Sequence, residues 1–423
     1  MEQALAYSTL AMTVGLALAR PRMGFGELRI TPGIAAILGV SVLLASGLLR
    51  PGDLWVSAQI QWRPLLALTC IMLMTGVVKE VGAFERLALR IEAQARSAST
   101  SRAFNLVFLA SVLTPSLLNN DAAILLLTPV VVALVRRLYP GNAKLLEAFV
   151  FAVFLAPGVA PFILSNPMNM IVAEFAGLGF NAYAAVMAPI SLVGAILTFA
   201  ILRFRYRRVL ATSKPVDAPV DIPPPHPAEK PALGFLLAVF LSYPFMAALD
   251  GPIWAVAVVG ALGCLVIARA YRVAPLPKVA AHVSFDILAF LWGVFLVVEG
   301  LRSVGVVDRL ASFYAAQSHE QGLHLGVIGL VSALGSAIVD NHPMSILNMM
   351  ALNHEGGSRP LLAALIGGDI GPRLLPIGSL AGLLWMDLLR RRGIEIGIGK
   401  FVRLGTLVLV PTLAVSLLML WVI

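Results

Sequence analysis

Apolar runs separated by short basic stretches make up most of this chain. In the first third they fall at residues 4–19, 33–49 and 64–80, each close to the roughly 20 residues an α-helix needs to cross a bilayer. The runs do not alternate, so they predict spanning helices rather than the strands of a membrane β-barrel. Past Lys79 the pattern changes. Arg86, Arg90, Arg96 and Arg102 interleave with Leu87, Leu89 and Ile91, which predicts an amphipathic helix along the membrane surface.

Residues 103–135 are apolar except at Thr114-Pro-Ser-Leu-Leu-Asn119-Asn120-Asp121. Each arm is about 15 residues long, marginal for a full crossing at about 1.5 Å per residue. Arg102 precedes the segment, and Arg136, Arg137 and Lys144 follow it. If positive charge marks the cytoplasmic side, both ends lie inside and the segment is a re-entrant hairpin with Asn119-Asn120-Asp121 at its tip. Two tight full spans joined at 119–121 are the alternative. Residues 145–178 carry a second interruption, Ser165-Asn166-Pro167-Met168-Asn169. Proline removes a backbone donor and disfavours helix in the residue before it. A break is therefore expected there, and broken backbone survives at membrane depth only against protein or a cavity.

A span at 183–202 ends in Arg203, Arg205, Arg207 and Arg208, and prolines at 215, 219, 223, 224, 225, 227 and 231 mark a semi-extended linker. The plan then recurs. Spans fall at 232–249, 252–268 and 285–301, and hairpin arms at 325–339 and 344–352 surround Asp340-Asn341-His342-Pro343. A broken span at 360–389 carries Gly367-Gly368-Asp369-Ile370-Gly371-Pro372-Arg373 and Pro376-Ile377-Gly378-Ser379, and a last span covers 402–421. Five crossings per half is an odd number, so the halves begin on opposite sides. The expectation is an all-α polytopic membrane protein of two inverted repeats, each with a re-entrant helical hairpin and an interrupted transmembrane helix. It would have about ten spans plus two hairpins, divided as residues 1–208, a cytoplasmic linker at 209–231, and residues 232–423.

Composition agrees. The chain has 423 residues, 59% hydrophobic and 13% charged, with mean hydropathy +0.90, too much apolar surface for a soluble domain. The net charge of +9 sits at span ends, which suits cytoplasmic loops and not nucleic acid. Cys70 and Cys264 lie inside apolar runs as packing residues, and no metal-ligand spacing or P-loop is present. No cofactor is expected, and any use of ATP would need a partner. Ala17-Leu18-Ala19 resembles a signal-peptide cleavage site, but Met1-Glu2-Gln3 lacks a positive n-region, so the first run is expected to remain a span.

The interruptions supply mostly neutral hydrogen-bonding groups, from Asn119, Asn120, Ser165, Asn166, Asn169, Asn341, Gly378 and Ser379, together with half-helix ends whose N–H groups point at a ligand. Such a lining suits a small polar solute. A multivalent anion would ask for more fixed positive charge than Arg373. Polar residues also glue helices together, but matched clusters in both halves favour a binding site. Asp121, Asp340 and Asp369 are candidates for proton coupling, because a carboxylate in a bilayer is costly unless it binds a proton or ion, or is paired. Asp369 and Arg373 are four residues apart and form a candidate ion pair. His342 can titrate near neutrality.

Three stretches carry a resemblance. They are Leu118-Asn119-Asn120-Asp121-Ala122-Ala123 with Leu127-Thr128-Pro129, Ser165-Asn166 through Asn169 with Phe175 to Phe180, and Gly368 through Ala381 with Leu383-Leu384-Trp385. At these residues the chain resembles the arsenical pump membrane protein family of the ion transporter superfamily. The resemblance implies the same inverted-repeat fold. It also implies secondary efflux of arsenite and antimonite across a bacterial or archaeal cytoplasmic (inner) membrane, driven by the membrane potential or a proton gradient. In some systems such a permease works with a soluble arsenite-stimulated ATPase. Arsenite near neutral pH is mainly the uncharged trihydroxide, which fits an Asn/Ser lining. The chain departs from the family pattern of Asn at 340, Met at 342 and Cys at 368, and the missing Cys argues against a thiolate relay there. Other readings are a sodium/proton antiporter or a carboxylate carrier of the same superfamily, although the latter would show Ser-Asn-Thr at both hairpin tips. An intramembrane aspartyl protease would need Gly-x-Gly-Asp, and Ile366 stands where its first Gly belongs.

That residues 103–135 enter and leave on the cytoplasmic side has a direct test. Cysteines introduced singly at Ser101 and Pro140 are expected to be equally shielded from an impermeant thiol reagent outside intact cells. Labelling of one and not the other would show a full crossing.

Overall fold

The computed structural model describes residues 1–21, 29–97, 99–117, 120–216, 223–317, 320–353 and 357–423. Helices α1 (Glu2–Ala19) and α2 (Pro32–Ala45) follow the first two apolar runs. Helix α3 (Pro51–Glu80) starts well before the apolar run at 64–80. Pro51 is compatible with a first turn, and the Asp53 side chain accepts the Arg50 N–H at 2.7 Å, so the helix is nucleated there and runs straight through Pro64. The amphipathic stretch is α4 (Ala83–Ser97). Next come α5 (Thr100–Leu117) and α6 (Asn120–Leu138), then α7 (Ala143–Leu155). After a break and a 3-10 turn at Ile163–Ser165, α8 (Pro167–Phe175) continues the path, followed by α9 (Phe180–Arg205) and the short α10 (Arg207–Thr212).

Beyond the linker lie α11 (Glu229–Ala248), α12 (Ile253–Ala270), the short α13 (Leu276–Ala280) and α14 (Phe285–Ser303). They are followed by α15 (Val306–Ala315), α16 (Gln321–Val339), α17 (Asn341–Ala351) and α18 (Arg359–Ile370). Two 3-10 turns, Gly371–Arg373 and Pro376–Gly378, separate α18 from α19 (Leu380–Arg391), and α20 (Ile398–Val422) is last. Among the described residues the architecture is all-helical, with no β-sheet. Seven helical segments among the described residues are long and apolar enough to cross a membrane, so this is a multi-pass membrane protein.

The helices pack as two contiguous bodies that share one buried core. In the first, α2 lies against α1 and α14, and α3 lies against α12, which in turn meets α11. Small residues set these approaches: a Cβ on Gly293 would fall 2.6 Å from the Ala36 Cβ. Without a hydrophobic driving force in lipid, close contact of this kind is what holds helices together. In the second body α16 packs on α18, α20 on α9, and α6 on both α7 and α19. An aromatic cluster joins α7, α19 and α20. Phe154 stacks on the fully buried Trp385 at 4.7 Å between centroids, and Phe401 closes on Phe154 at 5.3 Å.

The far end of the linker is pinned by one side chain. Arg86 of α4 is buried, donates to the carbonyls of Pro223 at 2.5 Å and Pro224 at 2.9 Å, and pairs with buried Glu229 at the start of α11. Removing one member of such a pair strands a buried charge. Arg86→Ala is expected to destabilise the protein by about 3–5 kcal/mol, read as a lower Tm in detergent. Arg86→Met combined with Glu229→Met should recover much of that loss.

Candidate functional site

The two broken helices meet at one carboxylate. Asp369 stands in the last turn of α18, where the helix runs out at Ile370. Its Oδ1 accepts from Asn166 Nδ2 at 2.7 Å, and its Oδ2 accepts from the Ala160 N–H at 2.9 Å and from Asn169 Nδ2 at 3.1 Å. Asn169 also donates to the Tyr183 hydroxyl at 2.5 Å, and that hydroxyl donates to the Ala160 carbonyl at 3.0 Å. At the break after α7 the Ala160 N–H is therefore satisfied from the other half of the chain and the Ala160 carbonyl by Tyr183 of the same half, as non-helical backbone in an apolar setting requires.

Arg373 does the same for the end of α7. It is buried, and it donates to the carbonyls of Leu155 at 2.6 Å and Pro157 at 3.0 Å and to Thr412 Oγ1 at 3.1 Å. The sequence spacing suggested that it would pair with Asp369, but the two side chains take these other partners and form no direct ion pair. The reason is local: the chain tightens into a 3-10 turn at Gly371–Arg373, so the i,i+4 alignment of an α-helix is lost. Gly405 permits the arrangement, since a Cβ there would fall 1.7 Å from the Arg373 carbonyl oxygen.

Three interruption residues are N-caps. Asn166 Oδ1 accepts from Met168 N at 3.0 Å, Asp340 Oδ1 from His342 N at 2.9 Å, and Ser379 Oγ from Gly382 N at 3.0 Å. Each thereby satisfies a first-turn donor that has no partner within its helix. Around these caps lies a narrow cavity whose polar lining is Asn120, Asn166, Asn341, His342, Asp369, Arg373 and Ser379, with apolar residues such as Phe154, Pro157 and Ile124 making up the rest of its wall. The Asn120 Oδ1 is buried without a hydrogen-bond partner among the described residues.

The structure thus brings together Asn120, Asn166, Asn341, Asp369 and Ser379 from the residues expected on sequence grounds. Asn169 stands behind Asp369 rather than on the cavity wall. Ser165 donates to the Ser116 carbonyl at 2.9 Å, tying the first break to α5. Gly378 serves packing: a Cβ there would fall 2.9 Å from the Ala337 Cα. Asp340 sits behind His342 and reaches the cavity through it. Asn119 and the side chain of Asp121 lie outside the described residues. At Gly368 a Cβ would fall 2.5 Å from Asn341 Oδ1, so the close contact between α18 and α17 leaves no room for a cysteine in this arrangement. Tyr183, Thr412 and Phe154 were missed by sequence reasoning, and only the polar character of the first two within apolar runs could have flagged them.

Known proteins resemble this chain over nearly its whole length. The family profile described as arsenical pump membrane protein matches residues 12–423. The chain is 29% identical over 429 residues to the arsenical pump membrane protein of Escherichia coli K12, covering 98% of this chain and 97% of that one. It is 28% identical over 408 residues to an uncharacterized transporter of Mycobacterium tuberculosis, covering 93% and 94% respectively. Among solved structures, the Alcanivorax borkumensis YdaH transporter superposes with a TM-score of 0.59 over 99% of this chain and 96% of that chain, at 16% identity. That last likeness is one of fold. With a profile match running over nearly its whole length, the chain belongs to the arsenical pump membrane protein family.

Proposed function

We propose that this protein expels arsenite and antimonite, as neutral trihydroxides, across a cytoplasmic membrane in exchange for protons. The observation that carries the reading is the small Asn- and Ser-lined cavity where the two broken helices meet, in a chain of this family. Amide and hydroxyl groups can both donate to and accept from a trihydroxide. Among the described residues the wall carries one arginine, Arg373, which already donates to two carbonyls and a hydroxyl, so the lining does not favour an anionic cargo.

The helix order supports two inverted repeats. Helices α1 to α3 correspond to α11, α12 and α14, and α4 corresponds to α15. The pair α5–α6 matches α16–α17, the broken helix α7–α8 matches α18–α19, and α9 matches α20. On this reading the pairs α5–α6 and α16–α17 are re-entrant hairpins entering from opposite sides. The basic ends and the linker 209–231 face the cytoplasm, and the cavity lies near the midplane. Alternating access follows if the body that holds the cavity moves against the body formed by α1–α3, α11, α12 and α14.

Expulsion of a neutral solute gains nothing directly from membrane potential, so a titrating group must link it to protons. Asp369 faces the cavity and is held by three N–H donors, and it is the first choice, with Asp121 and Asp340 as further candidates. Everted vesicles of an efflux-deficient bacterium expressing the protein are expected to take up arsenite when a proton gradient is imposed. Equal uptake with and without the protein would remove the function. Asp369→Asn should abolish the gradient dependence while leaving metalloid binding measurable. Asn166→Ala removes one hydrogen bond from Asp369 and should weaken binding by about tenfold, or about 1–1.5 kcal/mol, measured by equilibrium dialysis of the purified protein.

A further inference from the structure

We infer that the apolar pocket between α3 and α14 on one side and α6 and α19 on the other is the cytoplasmic entry path to the cavity, and that its walls pass an uncharged solute and turn back an ion. The inference rests on the transport reading above. The pocket has a volume of about 230 Å³. Ile71 and Met72 of α3 and Ile287 of α14 form one wall, and Leu125 and Leu126 of α6 with Leu384 of α19 form the other. The two walls thus belong to different bodies of the molecule.

The inner end of the pocket abuts the cavity. Ile124 lines the cavity while Leu125 lines the pocket. Asn166 and Pro167 divide in the same way, as do Ser379 and Leu380, and Ala381 borders both spaces. Adjacent residues of one segment therefore separate pocket from cavity at three places. Two of those places are the capped starts of α8 and α19.

At the other end stand Lys79 and His282. Lys79 is about 12 Å beyond Ile71 along α3 at 1.5 Å per residue, and its charge marks that end as the cytoplasmic one. Glu80 holds Lys278 Nζ at 2.7 Å and His282 Nε2 at 2.9 Å, which fastens the α13–α14 connection to the end of α3. Gly76 allows the approach, since a Cβ there would fall 2.9 Å from the His282 Cβ. In the opposite direction, about 12 Å before Ile71 on α3, Arg63 pairs with Glu174 near the end of α8 at 2.9 Å. The seam between α3 and the first broken helix is thus parted by the pocket toward Lys79 and bridged by an ion pair toward Arg63.

The lining decides what passes. Beyond Lys79 and His282 the pocket's polar side chains among the described residues are Thr75 and Ser284. Thr75 donates its hydroxyl to the Ile71 carbonyl at 2.8 Å, and Ser284 Oγ accepts the Ile287 N–H at 3.3 Å. An ion entering this space sheds water with little to replace it, whereas a neutral trihydroxide loses far less. Selection against the ionised form of the solute therefore takes place before the cavity is reached.

Single cysteines test this in a variant carrying Cys70→Ala and Cys264→Ala, which replace the two buried native thiols. Everted vesicles present the cytoplasmic face outward. There Lys79→Cys is expected to react alike with uncharged and charged methanethiosulfonates, relative to their rates with a free thiol in water. Leu125→Cys is expected to react with the uncharged reagent about tenfold faster than with a charged one, and faster than Leu109→Cys, which replaces an exposed leucine of α5. A bulky uncharged adduct at Leu125→Cys should abolish arsenite uptake and slow arsenite binding to the purified protein. The same adduct at Leu109→Cys should leave both unchanged. Leu384→Cys, on the same wall, is expected to match Leu125→Cys and replaces it in the test should that variant not fold. Equal reaction of Leu125→Cys with charged and uncharged reagents overturns the inference. So does a reaction no faster than that of Leu109→Cys, or arsenite binding that the adduct leaves at its native rate. The reagent rates are read without metalloid, so a native protein that takes up no arsenite would count against the proposed function alone.

Discussion

A helix that begins inside an apolar slab presents first-turn N–H groups to surroundings that offer no water. Everything at the centre of this molecule follows from that constraint. Asn166, Asp340 and Ser379 each place a side-chain oxygen on such a donor, and without them the half-helices α8, α17 and α19 would carry bare polar backbone. The caps also orient what remains of each side chain. Because Asn166 Oδ1 is committed to Met168 N, its Nδ2 is the atom left to meet Asp369. The amide cannot flip without losing both bonds, so a structural duty sets the polarity that the cavity displays.

The opposite ends of the half-helices impose the complementary demand for donors. Arg373 serves the carbonyls at the end of α7, and the Ala160 N–H and two asparagine amides serve Asp369 near the end of α18. The break after α7 thus draws donors from the other half of the chain, and the Asp369 side chain ties the end of α18 to that break. The Phe154, Trp385 and Phe401 cluster adds apolar contact along the same seam. Neither break is stable as an isolated segment, and the cavity exists because two such breaks are brought face to face.

The fold was largely legible because lipid makes apolar run length a direct measure of helix length. The reading slipped at α3, where the first half of the helix is too polar to stand out and its start is set by a local cap. The polar interruptions were legible as candidate site residues because every uncompensated polar group in such a run needs a reason. Which of them face the cavity was not legible. Asn169, Ser165 and Gly378 share a neighbourhood with the cavity wall, but their surroundings turn them to bracing and packing. The spacing of Asp369 and Arg373 misled because it assumed an α-helix that ends between them. Tyr183 and Thr412, the partners that complete the network, stand on later helices, 14 and 39 residues from Asn169 and Arg373, inside apolar runs that gave no sign of the contact.

The stitching of the two breaks has a consequence for how the chain is made. Helix α8 has nine residues, about 14 Å at 1.5 Å per residue, too short to cross a bilayer by itself. The carboxylate that holds Asn166 lies 203 residues further along the chain. At ordinary rates of synthesis that separation is roughly 10–40 s. Through that interval the first half must wait in or beside the membrane with its central amides unclaimed by their native partner. The centre of the molecule is therefore assembled last, after both halves have been delivered.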